Sequence, residues 1–144
     1  MSIQANKKTT RRLMKEVWTD HNPDMIDEVI AKDCVFQARG REFRGPKGYR
    51  EFYDLYVTAF PDLSIQVNDI IGESDVVVTS YTARGQHSGT LMGIEPTGKQ
   101  VTVPGMSLTR FEGGKIVDVK TLWNEMSLMQ QLEVLPESLQ RKLA

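Results

Sequence analysis

Cysteine is nearly absent from this chain: Cys34 stands alone among 144 residues. One thiol can neither close an internal disulfide nor build a cysteine-based metal site. A disulfide-stapled scaffold is therefore excluded, and a reducing, cytoplasmic setting is expected. Histidine is almost as scarce. His21 and His87 lie far apart and form no His-x-x-x-His helix pair, so no metal signature is present. Neither sign of charge dominates, since 18 Lys and Arg face 19 Asp and Glu for a formal net charge of −1. The basic residues are dispersed, which argues against nucleic acid as the main partner. Long apolar runs are missing too. Segments such as Val76-Val77-Val78 are far too short to cross a bilayer, so no membrane partner is expected. The polar stretch from Met1 to Arg12 lacks the apolar segment of a signal peptide. Repeats, low-complexity stretches and linkers are also lacking. One domain over residues 1–144 is expected, with a core spanning 6–132 and a helical tail at 133–144.

What is present suffices for an ordinary core: 40% of residues are apolar and 26% charged. The first third reads as helix. Leu13, Met14, Val17 and Trp18 recur at helical spacing within Lys7–Trp18. Asn22-Pro23-Asp24 offers an N-cap, a first-turn proline and a dipole-favoured acid for a second helix, whose face is Met25, Ile26, Val29 and Ile30. Cys34-Val35-Phe36 predicts a short strand. Gly45-Pro46 opens a third helix bearing Tyr49, Phe52, Tyr53, Tyr56 and Phe60 on one stripe, and Pro61 ends it.

The remainder is mostly strand. Leu63, Ile65 and Val67 alternate with polar residues, Val76 to His87 is rich in Val, Thr and Tyr, and Lys99 to Phe111 follows the turn Pro96-Thr97-Gly98. Gly113-Gly114 fits a two-residue hairpin turn into a strand from Lys115 to Trp123. Met126, Met129, Leu132 and Leu135 return the chain to helix, and Pro136-Glu137 starts another. Two strands of this length would each span roughly 40 Å if straight, which a small domain holds only by curling its sheet. The expected fold is α+β: a cone-like, mostly antiparallel sheet wrapping N-terminal helices around a ligand pocket.

One ordered set of segments carries a resemblance. Ala59-Phe60-Pro61-Asp62-Leu63 precedes Tyr81-Thr82-Ala83-Arg84-Gly85-Gln86-His87-Ser88-Gly89. Gly93-Ile94-Glu95-Pro96-Thr97-Gly98-Lys99 and Gly114-Lys115-Ile116 follow, and Trp123-Asn124 leads into Leu128-Met129-Gln130-Gln131-Leu132. In this order and spacing the chain resembles the SnoaL-like polyketide cyclases of the nuclear-transport-factor-like cone fold. The resemblance implies cofactor-free acid/base chemistry on a hydrophobic, oxygenated, ring-containing small molecule, and a homodimer or higher oligomer packed through the outer sheet face. In the family a pocket aspartate after the last strand's tryptophan shuttles a proton. Here that position is Asn124, which has no proton to exchange but can polarise a carbonyl by hydrogen bonding. A histidine at the end of the family's short strand corresponds to Gln37.

Each candidate has a bland reading beside the functional one. His87 matches the family's histidine and is either a proton carrier or a rim residue tying down the loop after it. Asn124 is either a pocket hydrogen-bonder or the N-cap of the last helix. Lys120 shares a strand face with Leu122 and Asn124 and either orients an anionic substrate or snorkels to water. Asp69 falls in register with the apolar face of its strand unless a bulge turns Ile70 inward instead. Trp18, Phe36, Tyr53, Tyr56 and Met106 are candidate pocket walls for a ring-containing ligand, with Leu108 and Arg110 on the same strand as Met106. The run Gly93 to Lys99 has the spacing of a P-loop, but Gln100 follows and a strand comes next, so the helix N-terminus that cradles phosphate is missing.

The favoured expectation is a lyase- or isomerase-type cyclase with Asn124 and His87 as its polar centre and Gln37 and Arg110 assisting. The rivals are a non-catalytic small-molecule-binding protein of the same fold, a domain whose cavity its own side chains fill, and an enzyme for epoxide opening or another ring closure.

Overall fold

The computed structural model describes residues 2–143. Ser2 caps the first helix, its hydroxyl accepting the Ala5 N–H at 3.0 Å. This helix, α1 (Ile3–Arg12), runs without a break into a π-helix at Leu13–Thr19. The widened turn is visible where the Asp20 N–H reaches back five residues to the Lys15 carbonyl at 2.8 Å. It buries Leu13, Met14, Val17 and Trp18 together, so the apolar pattern beginning at Lys7 marks the end of a longer helix. Next come α2 (Asp24–Val29), β1 (Ile30–Ala38), β2 (Arg41–Arg44) and α3 (Gly45–Ala59). The Asn22 carboxamide accepts the Asp24 N–H at 3.1 Å, but the N-cap of α2 is Pro23 rather than Asn22, so the helix starts one residue later than the sequence reading. Gly45 sits at φ +66°, and a Cβ there would come within 2.7 Å of the Lys32 carbonyl oxygen. Only glycine fits this entry to α3.

The strands β3 (Ser64–Glu73), β4 (Val76–Gln86), β5 (Gln100–Glu112) and β6 (Lys115–Trp123) complete the sheet, followed by α4 (Glu125–Gln131) and α5 (Glu137–Leu143). The strand order is β2-β1-β6-β5-β4-β3. β1 runs parallel to β6, and every other neighbour is antiparallel. Register shifts at Ile30/Val35, Val67/Asp69 and Arg110/Phe111 bend the strands. The result is the expected α+β cone, with α1, the π-helix and α3 in its concave face. In the sheet two elements differ from the sequence reading: β1 starts at Ile30 rather than Cys34, and β2 was not anticipated; α4 also ends at Gln131, before Leu132 and Leu135.

Along β5 burial alternates strictly, with Val101, Val103, Ser107, Thr109 and Phe111 turned inward. The opposite parity faces out, where Met106 is 55% exposed and Leu122 of β6 is 77% exposed. Inside, each large apolar side chain buried as fully as Ile26 or Ile116 stabilises the fold by about 1.5–3 kcal/mol.

Candidate active site

Helices and sheet do not close completely on one another. Between them lies a cavity of about 110 Å³, walled by residues that include Trp18, Phe36, Tyr56, Tyr81 and Trp123. A cavity of about 150 Å³ holds benzene, so this one is at the scale of a single ring but tighter.

The aromatic wall comes from the stripe on α3 meeting the π-helix. Trp18 donates its indole N–H to the Tyr49 hydroxyl at 2.9 Å. Phe36 packs on Phe52 with ring centroids 4.7 Å apart, and Tyr56 meets Trp123 edge-on at 5.4 Å. Burial raises the pKa of Tyr49, against the opposing effect of the Trp18 hydrogen bond. Tyr56 is raised in the same way, and its buried hydroxyl makes no well-formed hydrogen bond among the described residues.

On the sheet side three hydroxyls from three adjacent strands converge. Ser107 donates to the Thr121 hydroxyl at 2.8 Å, and the Tyr81 hydroxyl lies 3.2 Å from the same oxygen. Thr121 has one proton, and the Met106 carbonyl accepts it at 3.3 Å. Ser107 and Tyr81 then both donate into Thr121 and keep lone pairs free for a ligand. The convergence depends on Gly105, which pairs opposite Tyr81 on β5. A Cβ at Gly105 would fall 2.5 Å from Tyr81 Cζ and Oη, so only a bare backbone lets the ring lie across β5 toward β6. All three hydroxyl residues line the cavity. Burial raises the Tyr81 pKa, with the Thr121 and Ser107 hydrogen bonds opposing, so the phenol is a neutral donor near pH 7. No wall residue is acidic, basic or histidine. Among the described residues no cluster of three His, Cys, Asp or Glu could hold a metal ion.

Of the twelve residues singled out from sequence, Trp18, Phe36 and Tyr56 stand in the cavity wall. Tyr53 is buried one layer back, edge-on to Trp18 at 5.3 Å. The pocket positions expected for Met106, Leu108, Arg110, Lys120 and Leu122 are corrected by strand parity: all five project from the outer face. Arg110 is paired there with Asp75 at 3.2 Å. Gln37 lies in register with Lys120 on that same face, because Phe36 and Ala38 take the inward places on β1. Asn124 is exposed and follows the cap reading. Its side-chain oxygen accepts the Ser127 N–H at 2.9 Å and fixes the start of α4.

His87 is fully buried but belongs to the loop after β4, not to the cavity wall. Its Nδ1 accepts the Thr97 N–H at 3.1 Å and lies 3.0 Å from the Thr97 hydroxyl. The proton therefore sits on Nε2, which is buried and makes no well-formed hydrogen bond among the described residues, the Gly89 backbone being near it. Burial lowers the imidazole pKa, with the Gly89 backbone opposing. The ring packs on Phe60 at 5.5 Å and pins the loop. Asp69 is exposed after the bulge and accepts from Ser80 at 2.8 Å, while Ile70 packs toward the core. Cys34 is buried, and its thiol is pushed up to about 11, chiefly by burial. The glycine run from Gly93 leads through a loop into β5, as the rejection of a P-loop requires.

Tyr81, Ser107 and Thr121 were missed in the sequence. Their signal was available: Ser107 shares parity with Val101 and Val103, and Thr121 with Val119.

Comparison with known families matches a model described as SnoaL-like polyketide cyclase over residues 8–132. No curated protein matches. Among solved structures, the proposed SnoaL-like polyketide cyclase of Jannaschia sp. CCS1 superposes with a TM-score of 0.86 at 23% identity, covering 94% of this chain and 97% of its own. AclR of Streptomyces galilaeus, a proposed hydroxylase, gives 0.83 at 27% identity over 94% of this chain and 100% of its own. IdmH of Streptomyces antibioticus, a proposed polyketide cyclase, gives 0.76 at 28% identity over 90% and 99%.

Proposed function

The chain belongs to the SnoaL-like polyketide cyclase family, and we propose that it closes a ring on a hydrophobic, oxygenated, ring-containing small molecule without a cofactor. The observation that carries this reading is the meeting of Tyr81, Ser107 and Thr121 on an otherwise largely apolar wall. In an aldol-type closure a proton leaves the carbon beside one carbonyl. That carbon bonds to the second carbonyl carbon, whose oxygen ends as a hydroxyl. Protons balance within the substrate, so the protein needs only to carry one proton and to stabilise the developing alkoxide. Hydroxyls both accept and donate, and Tyr81 turns its one O–H from Thr121 to the oxygen that gains charge when substrate is bound. Asn124 is engaged as a cap and is not part of this step. His87 contributes by holding the loop after β4.

The experiment is ring closure of a linear, activated diketone followed by absorbance, comparing wild type with Tyr81→Phe and Thr121→Val. Loss of one donor to a developing oxyanion is expected to lower kcat by about 100-fold. Unchanged turnover in both variants refutes the assignment. A second reading, ligand binding without catalysis, is favoured by the lack of any acid, base or histidine in the wall. A substrate that binds and is never converted establishes that one.

The same proposal includes a single domain, a cytoplasmic setting and a homodimer or higher homo-oligomer. The exposed apolar side chains Ile71, Met106, Leu108 and Leu122 on the outer sheet support the dimer.

A further inference from the structure

Arg39 occupies a backbone position that disfavours arginine. Its φ is +55°, and Gly40 follows at +72°. Two successive left-handed residues make the tight hairpin between β1 and β2, where Asn or Gly is preferred in the first place. The side chain shows what an arginine gains there. Its Nε donates to Glu125 Oε1 at 2.7 Å, across 86 positions of sequence. Its Nη1 lies against the Met92 sulfur, and Met92 is itself left-handed at φ +45°. Three segments distant in sequence thus meet on one guanidinium: the β1–β2 turn, the 91–94 turn and the start of α4.

Arg39 and Glu125 are not themselves in the cavity wall, but chain neighbours of Glu125 are. Trp123 and Leu128, both wall residues, flank Glu125 in the chain. Tyr56 packs on Trp123, and its buried hydroxyl makes no well-formed hydrogen bond among the described residues, although the Arg39 guanidinium approaches it. Burial, helped by the Glu125 charge, raises the Tyr56 pKa and outweighs the Arg39 guanidinium, whose charge and approach favour the phenolate, so the phenol keeps its proton. A neutral O–H donor therefore stands beside a guanidinium paired, among the described residues, with the Glu125 carboxylate. The fork of an arginine with a second donor next to it suits a carboxylate or enolate oxygen. The resident pair is 28% and 35% exposed, so its exchange for another carboxylate costs little.

We propose that Arg39 and Tyr56 bind the anionic oxygen of a ring-containing ligand whose apolar part fills the cavity, with Glu125 displaced as the ligand docks. The inference rests on the cavity being a ligand site and narrows the ligand class to acids and enolates.

The test is calorimetric titration of the full chain at low salt and neutral pH with benzoate and with benzamide, its neutral isostere. Benzoate is expected to bind about tenfold tighter than benzamide. Arg39→Ala should abolish that preference while leaving benzamide affinity within about twofold of wild type. Glu125→Gln should tighten benzoate, because the competing carboxylate is gone, and Tyr56→Phe should weaken it. Benzamide binding without a benzoate preference overturns the inference and leaves the cavity reading intact. A preference that survives Arg39→Ala also overturns it. Failure of both probes to bind overturns the two together. If Arg39→Ala does not fold, Glu125→Gln decides, and unchanged benzoate affinity in that variant refutes the proposal.

Discussion

Gly105→Ala probes the hydroxyl cluster through a single methyl group. In a strand interior, replacing glycine by alanine removes unfolded-state freedom and is worth roughly 0.5–1 kcal/mol of stabilisation where the site is roomy. Here the new Cβ would lie 2.5 Å from Tyr81 Cζ and Oη. Van der Waals contact between such atoms needs about 3.5 Å, so the ring must move by about 1 Å. The adjacent cavity, which Tyr81 lines, offers the space. If the ring stays, overpacking costs about 1–3 kcal/mol. If it swings inward, the Tyr81–Thr121 hydrogen bond at 3.2 Å breaks, at about 1 kcal/mol, and the ring fills the ligand's volume. Against the glycine gain, the net expectation is a stability loss of about 0–2 kcal/mol together with loss of probe binding. Urea unfolding gives the first quantity and benzamide titration the second. The double variant Gly105→Ala, Tyr81→Val removes the clash, so there the alanine should stabilise relative to Tyr81→Val alone. A Gly105→Ala protein more stable than wild type by the full glycine increment, with undiminished benzamide binding, would refute the close approach of Tyr81 across β5.

Three further outcomes follow from the geometry. Asn124→Ala should lose about 1 kcal/mol by thermal unfolding, and Asn124→Asp should be nearly neutral because both residues cap well; a large loss in the aspartate variant, or new ring-closing turnover, would return Asn124 to the pocket. The folded-state pKa of His87 is depressed by burial. Its stabilising contribution is therefore complete above the unfolded value of about 6.5 and is lost as pH falls through the lower folded value. His87→Gln should flatten that acid-side slope in pH-dependent unfolding, and an unaltered slope counts against the pin. Light scattering of wild type at micromolar concentration should give at least a dimer, which Leu122→Lys dissociates; a monomeric wild type removes the role given to the outer face.

The fold was legible where local chemistry and long-range packing agree. Pro46 within the first turn of α3, five aromatic residues on one stripe and Gly113-Gly114 between two alternating runs each dictate one local structure. The bulge at Val67/Asp69 was readable because Ile70-Ile71 breaks the alternation. β2 was not, since Arg41–Arg44 pairs charged residues around one phenylalanine and has no apolar period. The Arg39–Glu125 contact is invisible by construction, as nothing local links residues 86 positions apart.

The site failed on sign, not on period. Alternation in β5 fixes which residues share a face, yet it does not say which face is inner. Taking the more apolar set at the strand centre, Met106 and Leu108, as inner is sound only when one face meets a dry core and the other meets water. This sheet breaks that premise on both sides. Its concave face carries Gly105, Ser107 and Thr109, because the cavity uses a bare backbone and hydroxyls. Its convex face carries exposed Met106 and Leu122. The ends of the strand resolve the ambiguity: Val101 and Val103 have the odd parity and are buried. Odd parity therefore carries Ser107 inward, and the register Ser107↔Thr121 carries Thr121 with it. The same step sends Asn124, in phase with Leu122, away from the cavity and into the cap of α4. In a curled sheet of this kind polar residues in the inward phase are thus a stronger pointer to the site than apolar residues at the strand centre.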